Sequence, residues 1–299
     1  RRRVSFFFIS SSYVNADILC LDWFSDELAE GLEGLSCNIL SIIPKIEASM
    51  LFYPNLSIRH FYADGYLNKI IDQKPLGWQE DCTVLRYHNN NMPLEAGMDA
   101  GNMLSLVVGQ QLGREYRVLK EFFTLPPDTV RELGAQFVRY FAPRRTKVLK
   151  LYYDRAMNNY KGVKADMATQ IKNAIEYDAE GRRTGWRVQL MSVGQGNIGS
   201  NLEYRFMSDL LSGNLADKLF SLLIDQYNCP NLKSEMEVTK TRLVDDGGSQ
   251  MVVKQKTGDK LPRERLPKES TNLTDALKYL LMRKEFLRIW QSKVTSYAP

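Results

Sequence analysis

Histidine and cysteine are scarce in this chain of 299 residues: there are only His60 and His88, and Cys20, Cys37, Cys82 and Cys229 lie far apart with no CxxC pair. That scarcity argues against a histidine-based triad and against a structural zinc site. No GxxxxGK[ST] occurs, so nothing here hydrolyses ATP through a P-loop. No apolar run approaches the roughly 20 residues that cross a bilayer. The opening RRRVSFFFISSSY superficially suggests a signal peptide, yet its apolar stretch is very short and no small-residue cleavage site follows. The missing initiator Met reads as a fragment or processed product, and the cysteine usage fits a reducing cytosol.

What is present is enough for a folded protein. With 44% hydrophobic residues the chain can bury one large core or two smaller ones, so two domains are expected. The net charge is +5, but residues 240–299 hold 13 Lys and Arg against 7 Asp and Glu. Such a local excess favours a polyanionic partner; a solvated basic face is the plainer explanation.

Organisation changes near residue 92. Before it come an acidic amphipathic segment, Asp22 to Glu33, the apolar CNILSIIPKIEASMLFYP and a Tyr- and Asp-rich stretch to Gly65, read as helix, extended segment and linker. After Pro93, LEAGMD, MLSLVVGQQ and YRVLKEFFT predict three antiparallel strands. A helix opens at Pro126-Pro127-Asp128, KVLKLYYD supplies a fourth strand, and Ala165 to Tyr177 a second helix. WRVQLMSV and KLFSLLID are further strands around a helix at 201–211. VDDGGSQMVV predicts a hairpin, and Thr274 to Ile289 one long closing helix. Three meandering strands, alternating helices and strands, then a helix is the order of a ribonuclease H-like α/β fold with a mixed sheet. The domains expected are 1–92, a linker segment, and 93–299.

Three aspartates end or begin these elements: Asp99 after a strand, Asp154 after another, and Asp275 in a first helical turn. Singly, each has an ordinary role as a turn or helix-dipole residue. Together, acids at the ends of neighbouring first and fourth strands, with a third on a helix across the sheet, can converge. Hard oxygen ligands suit Mg²⁺ or Mn²⁺, and two such ions can activate water and stabilise the leaving oxygen of a phosphodiester. Asp225 is a fourth candidate, as a further metal ligand or a turn cap, while Glu235 and Glu237 read as a solvated helix face. Lys254, Lys256, Lys260, Arg263, Arg265 and Lys268 run up to Asp275, where they could hold a DNA backbone. A competing pattern, Gly194, Gly196 and Gly199 in GQGNIG, follows a strand and precedes a helix, with Asp225 ending the next strand as a ribose-binding acid would. The polar hairpin and basic loop that follow argue against a dinucleotide unit.

PLEAGMDAGNMLSLVVGQ, VLKLYYDRAMNN, LLIDQYNCPNLKSEME and LPKESTNLTDALKYLL, in this order, resemble the C-terminal nuclease region of tailed-phage large terminase subunits, particularly from phages and prophages of Bacteroides-type hosts. The resemblance covers residues 93 to about 290, and its most specific parts are the first-strand Asp followed by a small residue and Gly, and Asp275, Ala276 and Tyr279. It implies that Asp99, Asp154 and Asp275 bind two Mg²⁺ or Mn²⁺ ions in a headful or cohesive-end endonuclease. Asn272 departs from the His common at that place in the family. SMLFYPNLSIRHFYADG looks like the segment joining the motor ATPase to the nuclease, the ATPase itself being absent from this sequence. The resemblance further implies double-stranded concatemeric DNA as substrate, portal and small terminase subunit as partners of the intact protein, oligomers only with the ATPase, and action in the host cytoplasm at the procapsid. Two alternatives stay open: a catalytically latent DNA-clamping and portal-docking module, and a related resolvase or transposase core.

Overall fold

The computed structural model describes residues 50–158, 166–246 and 249–295. The acidic segment Asp22 to Glu33, most of the apolar stretch after it and the two glycines of the predicted hairpin turn lie outside the described residues. The described residues from Leu51 onward cluster as one compact unit. In chain order its strands are β1 (Phe61–Tyr62), β2 (Leu94–Ala100), β3 (Leu104–Leu112), β4 (Glu115–Thr124), β5 (Val148–Tyr153), β6 (Arg187–Leu190), β7 (Ser221–Asp225), β8 (Thr241–Asp246) and β9 (Ser249–Lys254). The helices are α1 (Asn68–Ile71), α2 (Val130–Tyr140), α3 (Met167–Glu176), α4 (Ser200–Ser212), α5 (Pro230–Val238), α6 (Leu266–Glu269), α7 (Asn272–Leu281) and α8 (Lys284–Thr295).

Seven strands form one sheet in the order β1-β7-β4-β3-β2-β5-β6, and β8 pairs with β9 in a separate hairpin. β2, β3 and β4 meander antiparallel, β5 and β6 add in parallel beside β2, and β7 adds in parallel beside β4. The central order β4-β3-β2-β5-β6 is the ribonuclease H-like succession expected from the sequence.

The period-two alternation of strands sorts side chains between two cores. Leu94, Ala96 and Met98 of β2, with Leu149, Leu151 and Tyr153 of β5, join Val130, Leu133 and Phe137 of α2 and Ile171 and Ile175 of α3 on one face. Phe206 and Leu210 of α4, Leu232 of α5, Leu273, Ala276 and Leu280 of α7 and Trp290 of α8 cover the other. Helix α2 begins where Thr129 and Glu132 form a capping box, satisfying amides at the helix start.

Residues 51–92 are not set apart from this sheet. Phe52 and Tyr53 are wholly buried in the second core, β1 pairs in parallel with β7, and the Tyr62 hydroxyl donates to the Val118 carbonyl at 3.1 Å. Burying two large aromatic rings is reason enough for the segment to pack here.

The long closing helix is two helices. α7 ends at Met282, whose backbone (φ −92°, ψ 44°) leaves the helical region. Arg283 then turns inward to meet Glu95 at 2.8 Å and the Tyr152 hydroxyl at 2.9 Å, while stacking on Phe286. A continuous helix would have to forgo that buried ion pair.

Candidate metal centre

Glu95, Gly97 and Asp99 alternate onto the α7 face of β2, opposite Leu94, Ala96 and Met98. Gly97 is what lets α7 approach: a Cβ there would stand 1.9 Å from the Ala276 carbonyl oxygen. On β5, Tyr152 shares that face. Met98 pairs with Tyr153 across the parallel strands, so the next residue on each chain, Asp99 and Asp154, stand side by side at the carboxyl edge. Adjacent strands lie about 4.8 Å apart. Both aspartates line one cavity of about 420 Å³ with Gly101, Leu104, Ala156, Met157 and Met167.

Turn chemistry positions each acid. Asp99 Oδ2 accepts from the Gly101 amide at 3.2 Å and Asp154 Oδ1 from the Ala156 amide at 3.1 Å. Burial, with the charge of Asp154 next, raises the Tyr279 hydroxyl well above its usual range, which places that ring beside the acid. Asn272 Oδ1 faces the same turn: a methyl on Gly101 would lie 2.3 Å from it and 2.9 Å from Asp99 Oδ2.

Asp275 arrives from the first turn of α7, close enough to act on Asp99 but engaged elsewhere. Its Oδ1 receives Lys254 at 2.8 Å and Lys278 at 3.1 Å, and its Oδ2 receives Lys256 at 2.8 Å. Burial opposes charge on Asp275; the ammonium groups of Lys254, Lys278 and Lys256 overcome it and hold the carboxyl far below its usual range. Asp99 goes the other way: burial, with the negative charges of Asp275 and Asp154, pushes it up to about 7. The network extends to α4, where Glu203 meets Lys254 at 2.6 Å and accepts from the Tyr53 hydroxyl at 3.2 Å.

Among the described residues, no three Asp, Glu, His or Cys side chains form a cluster that could hold a metal ion by itself. The convergence of three acids expected from sequence is therefore met by two in one cavity and a third beside them, neutralised by lysines. The donor set still fits a hard cation, because Mg²⁺ keeps several waters and needs only one or two carboxylates. Asp99 supplies a second indication, since a carboxylate whose ionisation is suppressed by burial and by neighbouring negative charge is relieved by a cation.

Several sequence expectations are corrected. Asp225 is not near this site. It ends β7, three strands from β2 and on the order of 15 Å or more away. Its oxygens accept from the Tyr227 and Asn228 amides and the Asn228 side chain, a turn cap packed against Gly65. Lys254 is buried between Glu203 and Asp275 and is no phosphate contact; Lys260, Arg263, Arg265 and Lys268 are exposed, Arg265 in an ion pair with Glu269. Glu235 is fully buried rather than solvated, accepting from the Thr274 amide at 2.9 Å and the Ser270 hydroxyl at 2.8 Å at the head of α7. The dinucleotide pattern, already disfavoured in the sequence, gains nothing from topology: β6 is an edge strand, and β7, the strand that follows α4, lies toward the opposite edge of the sheet.

Glu203 was not singled out in the sequence, yet it could have been. It falls on the buried stripe of α4 with Phe206, Met207, Leu210 and Leu211, where a carboxylate demands a partner.

No family model matches the chain, and no curated protein matches it. Among solved structures, the chain is similar to the large terminase of a thermophilic bacteriophage in complex with ATP-γ-S (12% identity, TM-score 0.44), covering 90% of this chain and 54% of that one. The chain thus spans about half the length of that protein. It is also similar to the large terminase nuclease domain of bacteriophage SPP1 with bound Mn (15% identity, TM-score 0.38, covering 64% of this chain and 85% of that one). A third similar structure is the large terminase nuclease from thermophilic phage G20c with bound cobalt (12% identity, TM-score 0.40, covering 77% and 96%).

Proposed function

We propose that this chain is a metal-dependent endonuclease that hydrolyses phosphodiesters of double-stranded DNA, the nuclease part of a viral genome-packaging protein. The observation that carries this reading is the placement of Asp99 and Asp154 side by side at the carboxyl edge of neighbouring parallel strands, in one cavity. The sequence resemblance to large terminase subunits supports it independently. A Mg²⁺ or Mn²⁺ ion held there would polarise a phosphoryl oxygen and lower the pKa of a bound water. Asp99 and Asp154 would hold the first ion; Asp275 would join a second through Oδ2 once Lys256 withdraws.

The chain's own residues supply the approach for DNA. Asn102, in the turn after Asp99, donates to the Asp259 carbonyl at 2.7 Å, which sets the basic segment beside the acid turn. Lys260, Arg263 and Lys268 on that segment would contact phosphates without reading sequence. The β8–β9 hairpin would guide the duplex. In the intact protein, residues up to 92 would connect to a motor ATPase, with portal and small subunit as partners at the procapsid.

Lysines on Asp275 also favour a second reading, a DNA-clamping module whose catalysis is latent. Supercoiled plasmid incubated with Mn²⁺ separates the two. The nuclease reading expects nicking and linearisation that Asp99→Ala and Asp154→Ala each reduce at least ~100-fold. Binding without cutting, or cutting that survives Asp99→Ala, would contradict it.

A further inference from the structure

The three ammonium groups on Asp275 are not equivalent. Lys254 (side chain 1% exposed) and Lys278 (10%) both bind Oδ1 from the interior, and Lys254 is additionally fixed by Glu203 at 2.6 Å. Lys256 binds Oδ2 alone, at 2.8 Å, and its side chain is 53% exposed. Removing Lys254 would leave the buried Glu203 with only Lys278, at 3.9 Å, for counter-charge. Removing Lys256 strands nothing: Asp275 keeps two lysines, and water takes the released ammonium. One oxygen of Asp275 is thus committed to the interior and the other is held by a cation that can leave.

Lys256, like Lys278, also favours the charged form of Asp99, the other acid of the site. Lys256 thus occupies the solvent-facing oxygen of Asp275, the one through which that carboxylate could reach a cation. Lys256 sits two residues past β9, where the chain is anchored by the Gln255 amide donating to the Lys240 carbonyl at 2.9 Å. Anchored backbone and solvent-exposed side chain together let the ammonium swing without unfolding the strand.

We propose that Lys256 is a built-in competitor for a divalent cation: its ammonium fills the seat at Asp275 Oδ2, so the chain by itself holds one ion tightly, between Asp99 and Asp154, and a second only weakly. This rests on the nuclease reading above. The DNA-free protein then carries a half-assembled metal centre, which keeps cutting low until the ammonium withdraws. The two seats differ because only one of them is already filled by a protein charge.

Calorimetric titration of the full chain with Mn²⁺, without DNA, tests this. Wild type should show one tighter and one weaker constant. Lys256→Met should tighten the weaker one at least about tenfold, as expected for removing a unit charge from a cation seat a few ångströms away, and leave the tighter within about twofold. Lys256→Arg, which keeps the charge, should behave as wild type. Because Lys256 is half exposed, the Met variant should melt within a few degrees of wild type. Mn²⁺ binding that depends on Asp99 but shows the same second constant in Lys256→Met would overturn the inference and leave the nuclease reading standing. Absence of any Asp99-dependent Mn²⁺ binding would overturn both.

Discussion

At Asp99 the chain accepts a local cost. Its carboxyl is pushed up to about 7 by burial and by Asp275 and Asp154, so between pH ~4 and ~7 the folded chain keeps a proton that the unfolded chain has released. A raised acid therefore makes stability fall as pH climbs through that window, and the loss persists above it. Asp99→Asn removes the loss: in EDTA at pH 8 the variant should be more stable than wild type by ~1–3 kcal/mol in urea melts, with little difference near pH 4. A variant less stable than wild type at pH 8 would refute this account of the site. Lys254 is the converse case, with both neighbours carboxylates and almost no exposure. Lys254→Met should cost about 3–5 kcal/mol at neutral pH, since it leaves the buried Glu203 with only Lys278 at 3.9 Å and takes one of three lysines from Asp275. An effect under 1 kcal/mol would show that the buried network is not ionised as drawn.

At the scale of elements, α7 is the piece on which the site depends. It carries Asp275, Lys278 and Tyr279, and every one of its ten residues is buried. Gly97 admits it to the sheet and Glu235 caps its head. Gly97→Ala should destabilise by about 2–3 kcal/mol, because the methyl meets backbone that cannot yield without moving the helix. It should also loosen Asp275, read as weaker Mn²⁺ binding in the same protein. Unchanged stability would mean that α7 sits farther from β2 than the structure places it. The elements themselves were largely legible: β2 to β5 coincide with their apolar, β-rich runs, and α3 with its spacing near four. The break at Met282 was not, because the apolar pattern runs on through Leu280, Leu281 and Phe286. Only the tertiary pairing of Arg283 with Glu95 reveals it. Glu235 failed for the same reason: a charged residue on a short helix reads as solvated until the helix end it caps is known.

For the whole molecule, sequence order fixed the sheet and hence the neighbourhood of Asp99 and Asp154, since a fourth strand laid beside the first brings their ends together. What it could not supply was sign and partner. Six basic residues between 254 and 268 looked alike as a phosphate-binding run, yet folding buries Lys254, commits Lys256 to Asp275 and leaves Lys260, Arg263 and Lys268 exposed. Those three belong to the DNA approach: replacing all of them with Ala should lower the salt dependence of duplex binding by about two to three in log–log slope, without changing Mn²⁺ affinity. A slope that does not move would remove this face from the DNA path. The shared claim beneath these predictions is that a hard cation sits between two neighbouring strand ends. Anomalous diffraction from a Mn²⁺-soaked crystal measures it directly. We predict a peak contacted by both Asp99 and Asp154; a peak at Asp225 or elsewhere, or none with Mn²⁺ present at saturating concentration, would contradict the account.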